Sequence, residues 1–557
     1  MIALLHYFQL ELAALVVLAA LAFGLRRAEP PHARRAARAL GRTAGAGRGA
    51  VGPALCAALA LAVGAALSAL RPPVPSVHDE FAYLLAADTF AMGRLTNPTP
   101  AFAEHFETLH VLVEPSYQAK YPPLPGLLLA AGQLTTGRPI AGVWLASAAA
   151  AAAVCWWLQA LVPRRFALLG GALLALQPGF ALGWGQSFWG GAPAVAGSAL
   201  LLGGAARLRS RGPGDAHGGR VRRPGPAAAA ALGFGAAALA ATRPYEGLAT
   251  ALFAAAWLLA AAGPRAALRR AAPALLVLVP AAAALLFYDW RVTCDPFLMP
   301  YQLHEVRYGV APAFFFQQPA PVPVYPDATM ARFHTEWSMT AWHAQRTLAG
   351  WLAFKAQALV AAWAYLVGPL LTLPLVAALL GGGRRVRLAG AALAVQLGAV
   401  LLVTWLQPHY LAVGVPLLVL LVVEGLRRLR AGFRPAARGR VVFLAFLGLY
   451  VLCFLGAAQR HVRAPEASWG AARARVAEAV AREPGRHLVL VRYGPTHDPL
   501  VEWVYNGADL EAERVLFARS LGPARDARLL AQHADRRAWV VHADSPEPRA
   551  RPLRAPH

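Results

Sequence analysis

The chain has 557 residues, 58% of them hydrophobic and only 15% charged, and its mean hydropathy is +0.45. A soluble protein of this length needs more charge to cover its surface, so a polytopic membrane protein is expected. The net charge of +25 does not mark a nucleic-acid binder, because the arginines gather in short loops between apolar runs, where the positive-inside rule puts them.

The first apolar run, Ile2 to Leu25, lacks a basic leading region and reads as a retained helix over about 3–24 rather than a cleaved signal. The arginine-rich loop from Arg26 to Arg48 is assigned to the cytoplasm, which makes 1–50 an anchoring helix and its loop. A second run, 51–70, then delivers His78-Asp79-Glu80 to the opposite side, at the head of an outer loop over 71–138. Within it, Phe81 to Phe90 mixes apolar residues with Tyr83 and Asp88 and predicts a short amphipathic helix on the membrane surface. The turn Asn97-Pro98-Thr99-Pro100 ends it. Lys120-Tyr121-Pro122-Pro123-Leu124 follows, and the apolar piece after it is too short to span, so it is read as interfacial or re-entrant.

Further spans fall near 139–161, 166–183, 192–206, 227–242, 247–262, 271–287, 356–381, 388–406, 410–426 and 441–457, about twelve in all. The loops alternate in sign. Arg164-Arg165, Arg207 to Arg223, Arg265 to Arg270, Arg384 to Arg387 and Arg427 to Arg440 fall on one side. Asp79, Trp184 to Gly191, Arg243 to Glu246, a long loop over 288–355 and Gln407 to Tyr410 fall on the other, with most of the acids, histidines and aromatics. Function is therefore expected on the non-cytoplasmic face. Residues 51–458 form the membrane domain, and 459–557 read as a small α/β domain on the outer face, with strands at 487–493, 515–518 and 538–542. Cys56, Cys155 and Cys453 lie in apolar runs and Cys294 in a polar loop, which is no disulfide framework and no metal-type spacing.

Several short stretches could carry chemistry. Asp79 with Glu80 offers a general base at a low-dielectric boundary; alternatively, the pair only marks the wet end of a helix. Lys120, one of two lysines in the chain with Lys355, can meet a lipid phosphate or simply snorkel. Arg243-Pro244-Tyr245-Glu246 can bind phosphate, with the glutamate orienting the arginine, or staple a short loop. Trp184 to Gly191, with Trp189, can form a sugar platform or belong to the interfacial aromatic belt. His409 and Tyr410 can join the same site or end a helix. His78, Tyr83, Asp88 and Tyr121 complete the candidate substrate contacts. The long loop, with Tyr301, His304, Glu305, Tyr308 and His334, reads as an ordered cover or acceptor surface. Its histidines and acids lack a tight metal spacing, so no metal ligands are expected, and a divalent cation stays open only as a cofactor.

An acidic pair in the first outer loop, the Lys120-x-Pro122-Pro123-Leu124 element after it and about twelve helices together resemble the GT-C membrane glycosyltransferases, in particular the protein O-mannosyltransferase and aminoarabinose transferase group. The resemblance covers roughly 50–460. It implies an inverting transferase that moves a sugar from a polyprenyl-phosphate donor to a glycan, lipid or protein acceptor outside the cytoplasm. Asp79 would be the base, Glu80 its support, and Lys120 would lie near the donor phosphate. Related enzymes often carry a second acid in the next outer loop, and Trp184 to Gly191 holds none. The terminal domain looks like that of an uncharacterised bacterial branch, which implies the bacterial inner membrane. A transporter or flippase of a lipid-linked sugar is the second class, disfavoured by the lack of an internal repeat and by charges that crowd one face. A scaffold acting through its terminal domain is the third.

Overall fold

The computed structural model describes residues 7–24, 49–209, 225–433 and 435–553. The loop from Arg26 to Arg48 and most of that from Arg207 to Arg223 lie outside the described residues. The helices in chain order are α1 (Gln9–Gly24), α2 (Val51–Leu70), α3 (His78–Ala91), α4 (Pro123–Thr136), α5 (Ile140–Leu158), α6 (Arg164–Ala175) and α7 (Ala192–Arg209). Then come α8 (Pro226–Ala240), α9 (Pro244–Ala262), α10 (Pro264–Ala271), α11 (Leu275–Thr293), α12 (Pro300–Tyr308), α13 (Ala328–Arg332) and α14 (Ser338–Ala344). The last are α15 (Leu348–Leu366), α16 (Gly368–Gly381), α17 (Arg384–Leu402), α18 (Val415–Ala431), α19 (Ala436–Arg463), α20 (Trp469–Ala481) and α21 (Pro523–Gln532).

Each expected apolar run is helical, and the protein is a multi-pass membrane protein. Seven helices among the described residues are long and apolar enough to cross a bilayer, or nine if each bent pair forms one span. The expected twelve is reduced because breakers interrupt two runs, two others are short, and α7, which ends in Arg207 and Arg209, is not apolar enough. The run at 166–183 bends by 49° between α6 and Gly179–Gln186, and 356–381 bends by 98° between α15 and α16. Gln177-Pro178 and Gly368-Pro369 sit at these breaks, as prolines and glycines do at sharp kinks. At the second break, the Glu11 carboxylate accepts the Leu370 N–H at 2.9 Å, which caps the freed start of α16. α1 and α8 are apolar but shorter than a span.

The stretch after α2 departs most from expectation. Pro72, Pro73 and Pro75 stop α2, and α3 begins at His78 rather than Phe81. It is not a helix lying on the membrane surface: none of its residues is exposed, and buried side chains occupy every face. α4 packs along it and along α5, with Gly142 so close to α4 that a Cβ there would meet the Leu128 carbonyl oxygen at 1.9 Å.

The terminal domain carries a four-stranded sheet in the order β4 (Val515–Arg519), β3 (Arg486–Arg492), β5 (Arg536–His542), β6 (Arg551–Pro552), after the short hairpin β1 (Val111–Leu112) and β2 (Gln118–Ala119) of the outer loop. β3 pairs in parallel with β4 and β5, and β6 closes the edge antiparallel. Side chains alternate along β3 as the pleat requires. Val489 and Val491 pack with Val476, Trp503 and Phe517, while Leu488 and Leu490 pack with Leu529 and with Phe106 of the first outer loop. One face of the sheet is thus completed by the membrane domain's loop. α19 runs unbroken to Arg463, past residue 459.

Candidate active site

The start of α3 sets the site. Glu80, at the third helical position, reaches back to the N–H groups of Ser76 (2.7 Å) and Val77 (3.1 Å), and its other oxygen accepts the Phe188 N–H at 2.9 Å. Glu80 therefore spends both oxygens on backbone amides and does not stand beside Asp79 as a working partner. Burial pushes its carboxyl up, against the three amides that pull it down. Glu80→Gln removes charge from three hydrogen bonds and is expected to lower stability by about 2 kcal/mol, read as a fall in melting temperature.

Asp79, one residue earlier and about 100° round the helix, points to a different surface. Its Oδ1 accepts a short hydrogen bond from Tyr121, and Tyr121 stacks on Tyr83 with ring centroids 4.5 Å apart. The β1–β2 hairpin leads the chain back to this point, and the Lys120 N–H bonds the His110 carbonyl at 3.0 Å. Leu124 N–H then bonds the Ala241 carbonyl at 3.0 Å, which ties the Lys120 element to the turn that carries Arg243. Arg243 lies 4.0 Å from Glu246 and over the Tyr410 ring at 4.9 Å. Tyr410 interacts electrostatically with Arg243, Glu246, Asp79 and Glu305, and Tyr83 with Arg243, Asp79 and Glu246. Asp79, Lys120 and Arg243 thus belong to one cluster lined by tyrosines. His409 joins it through Trp189, whose ring meets the imidazole edge-on at 4.4 Å. A small apolar pocket adjoins Trp189 and is lined by Pro125, Leu129, Val143 and Phe188.

Two expected contacts lie elsewhere. Asp88, near the far end of α3, accepts the Ala508 N–H and the Gln133 amide and so fastens the terminal domain. Tyr245 donates to the Ala399 carbonyl at 2.9 Å and packs on Phe314.

The long loop supplies groups that the sequence did not single out as site residues. Its α12 brings Glu305 to 3.0 Å from Lys120 Nζ and sets the Tyr301 ring 4.7 Å beneath that nitrogen. Burial would raise the Glu305 carboxyl, but Lys120 and His304 outweigh it and hold it well below the usual carboxylate range. His78, His110, His304 and His334 form a file of imidazoles, with successive centroids at 4.6, 6.0 and 6.0 Å. Burial lowers all four, and Lys120 adds to it at His110 and His304, so that His304 falls to about 4 and His334 to about 3. The only signal for these residues in the sequence was the length and aromatic content of the loop.

Among the described residues, His78, Asp79 and His110 have the spacing to hold a cation, with one ligand atom from each within 4.8 Å of the others. Both ring nitrogens of His78 and Nδ1 of His110 are buried without hydrogen-bond partners. Two imidazoles and a carboxylate suit a borderline divalent ion. All three lie in the first outer loop, apart from the long loop whose spacing gave no expectation of metal ligands.

The terminal domain grips this machinery. Phe81, two residues after Asp79, lies between Trp469 (5.3 Å) and Tyr505 (4.6 Å), both stacked on it. Tyr505 also donates to the Leu109 carbonyl. Arg519 donates to Asp327, to Glu502 and to the Glu107 carbonyl, and Asp327 caps α13, from which Phe333 reaches His78 and His110. Phe81→Leu keeps an apolar, smaller side chain and loses both stacks. Hydrogen exchange across 78–91 is expected to rise at least about tenfold, with the membrane helices unchanged.

No family model and no curated protein matches the chain. Among solved structures it is similar to ArnT from Cupriavidus metallidurans bound to undecaprenyl phosphate, at 13% identity and a TM-score of 0.49, over 88% of this chain and 92% of that one. It is also similar to the oligosaccharyltransferase of Archaeoglobus fulgidus in complex with zinc and sulfate, at 12% identity and a TM-score of 0.46, over 87% of this chain and 67% of that one. Both are GT-C enzymes, the superfamily that the short motifs of the first outer loop resemble.

Proposed function

We propose that the protein is a membrane glycosyltransferase that moves a sugar from a polyprenyl-phosphate donor to an acceptor outside the cytoplasm, with inversion at the anomeric carbon. The observation that carries this reading is the clustering of one carboxylate, Asp79, with two cations, Lys120 and Arg243, at the mouth of a membrane domain. Asp79 takes the proton of the acceptor hydroxyl or amine as that atom attacks the anomeric carbon. The bond from that carbon to the phosphate oxygen breaks, and its electrons leave with the phosphate. Lys120 and Arg243 stabilise the charge that gathers there, the main electrostatic task of the step. The aromatic floor of Tyr83, Tyr121, Tyr301 and Tyr410 suits a sugar ring, and the apolar cavity beside Trp189 suits the first isoprene units. A divalent cation bound by His78, Asp79 and His110 would supply positive charge beside the acceptor atom. On the charge bias of its loops, the site would face the periplasm of a bacterial inner membrane.

The test is transfer of labelled sugar from a polyprenyl-phosphate donor in proteoliposomes that hold the purified protein. The reading requires a covalently modified acceptor and released polyprenyl phosphate. Movement of the intact donor between leaflets without either product would instead make the protein a transporter.

A further inference from the structure

Lys120 is 6% exposed at its side chain and its ammonium needs an anion nearby, because an unpaired buried charge costs several kcal/mol. If Lys120 receives the donor phosphate, that anion is the phosphate during the reaction. At rest it is Glu305, 3.0 Å away and 185 residues further along the chain. Both anions cannot hold the same buried nitrogen on equal terms.

The geometry around Glu305 suits exchange. Its side chain is one-third exposed, whereas that of its neighbour His304 is fully buried. The outer side of α12 carries no packing partner over Val306, which is 77% exposed. The C-terminal end of α12 is pinned, with Arg307 on Glu114 at 2.6 Å and the Tyr308 carbonyl accepting from Tyr325 at 2.6 Å. The preceding loop, with Phe297 81% exposed, is held by short-range hydrogen bonds, from the Thr293 hydroxyl to the Asp295 and Leu298 carbonyls and from Met299 N–H to Gln302. Glu305 can leave Lys120 by side-chain rotation or a small swing of α12 about its pinned end.

Charge supplies the reason for such an exchange. A donor phosphodiester carries one negative charge. After transfer the polyprenyl phosphate is a monoester with a charge of about −1.5 to −2 at neutral pH. It holds Lys120 and Arg243 more strongly than the donor did, so a site of bare cations would retain its product. We propose that Glu305 is an exchangeable counter-ion: it keeps Lys120 paired at rest, gives way to the donor phosphate, and returns to displace the polyprenyl phosphate left after transfer. This rests on the donor-site reading above.

The experiment measures binding of undecaprenyl phosphate and of undecaprenol to the full-length protein in detergent, for wild type, E305Q and E305D, together with hydrogen exchange over 300–308. Undecaprenyl phosphate is expected to bind E305Q about tenfold tighter than wild type, through slower release, with undecaprenol unchanged. E305D keeps the charge on a shorter arm and should fall between the two, so the comparison survives if E305Q folds poorly. Adding undecaprenyl phosphate should raise exchange in 300–308 of wild type and leave E305Q unaffected. In transfer assays E305Q should keep its first turnover and lose steady-state rate. Equal or weaker binding by E305Q, with wild type binding normally, overturns the counter-ion proposal alone. Failure of wild type to bind undecaprenyl phosphate overturns the donor-site reading and this proposal with it.

Discussion

Asp79→Asn is expected to reduce sugar transfer by at least about 10³-fold, within the range that general-base catalysis supplies, while leaving folding and donor binding intact. The substitution keeps the size of the side chain, and its amide oxygen can still accept the Tyr121 hydroxyl. What is lost is the ability to take a proton. Glu80 cannot replace it, because both of its oxygens are bound to the amides of Ser76, Val77 and Phe188. Initial rates in proteoliposomes, alongside binding of undecaprenyl phosphate, separate the two effects. Wild-type turnover by the Asp79→Asn protein would remove Asp79 from the chemistry.

Arg519→Met should cost about 3–5 kcal/mol, the usual penalty for stranding buried carboxylates. Arg519 is 1% exposed and faces Asp327 and Glu502, the latter fully buried at its side chain. It also bonds the Glu107 carbonyl, and its own carbonyl receives His105 at 2.7 Å. Three parts of the chain therefore meet on one guanidinium: the first outer loop, the long loop and the terminal sheet. Thermal unfolding should show an early transition confined to the outer segments, and proteolysis should open 320–337 before any membrane helix. A variant that melts as wild type does would show that these contacts carry no weight.

The membrane spans and the terminal strands were legible because each depends on local pattern. Apolar runs of span length mark helices, and the apolar run His487 to Val491 marks a buried strand wherever it packs. The Lys120 and Arg243 elements were legible as rare or punctuated polar residues beside apolar runs. The different tasks of Asp79 and Glu80 were not, because neighbours on a helix face different surroundings and the sequence does not say which surface is wet. The burial of α3 was hidden for another reason: its cover comes from Trp469 and Tyr505, near the other end of the chain. Glu305 was hidden because its loop has no periodicity to aim a side chain.

The distance along the chain between α3 and its cover bears on biosynthesis. Asp88 and Ala508 touch although 420 residues separate them, and contacts of such long range form late. A ribosome will have released the membrane helices between α2 and α19 before the aromatic clasp on Phe81 exists. The nascent protein therefore lacks this clasp until its tail has emerged, and a chain cut short by a stalled or mutant message would sit in the membrane with α3 uncovered.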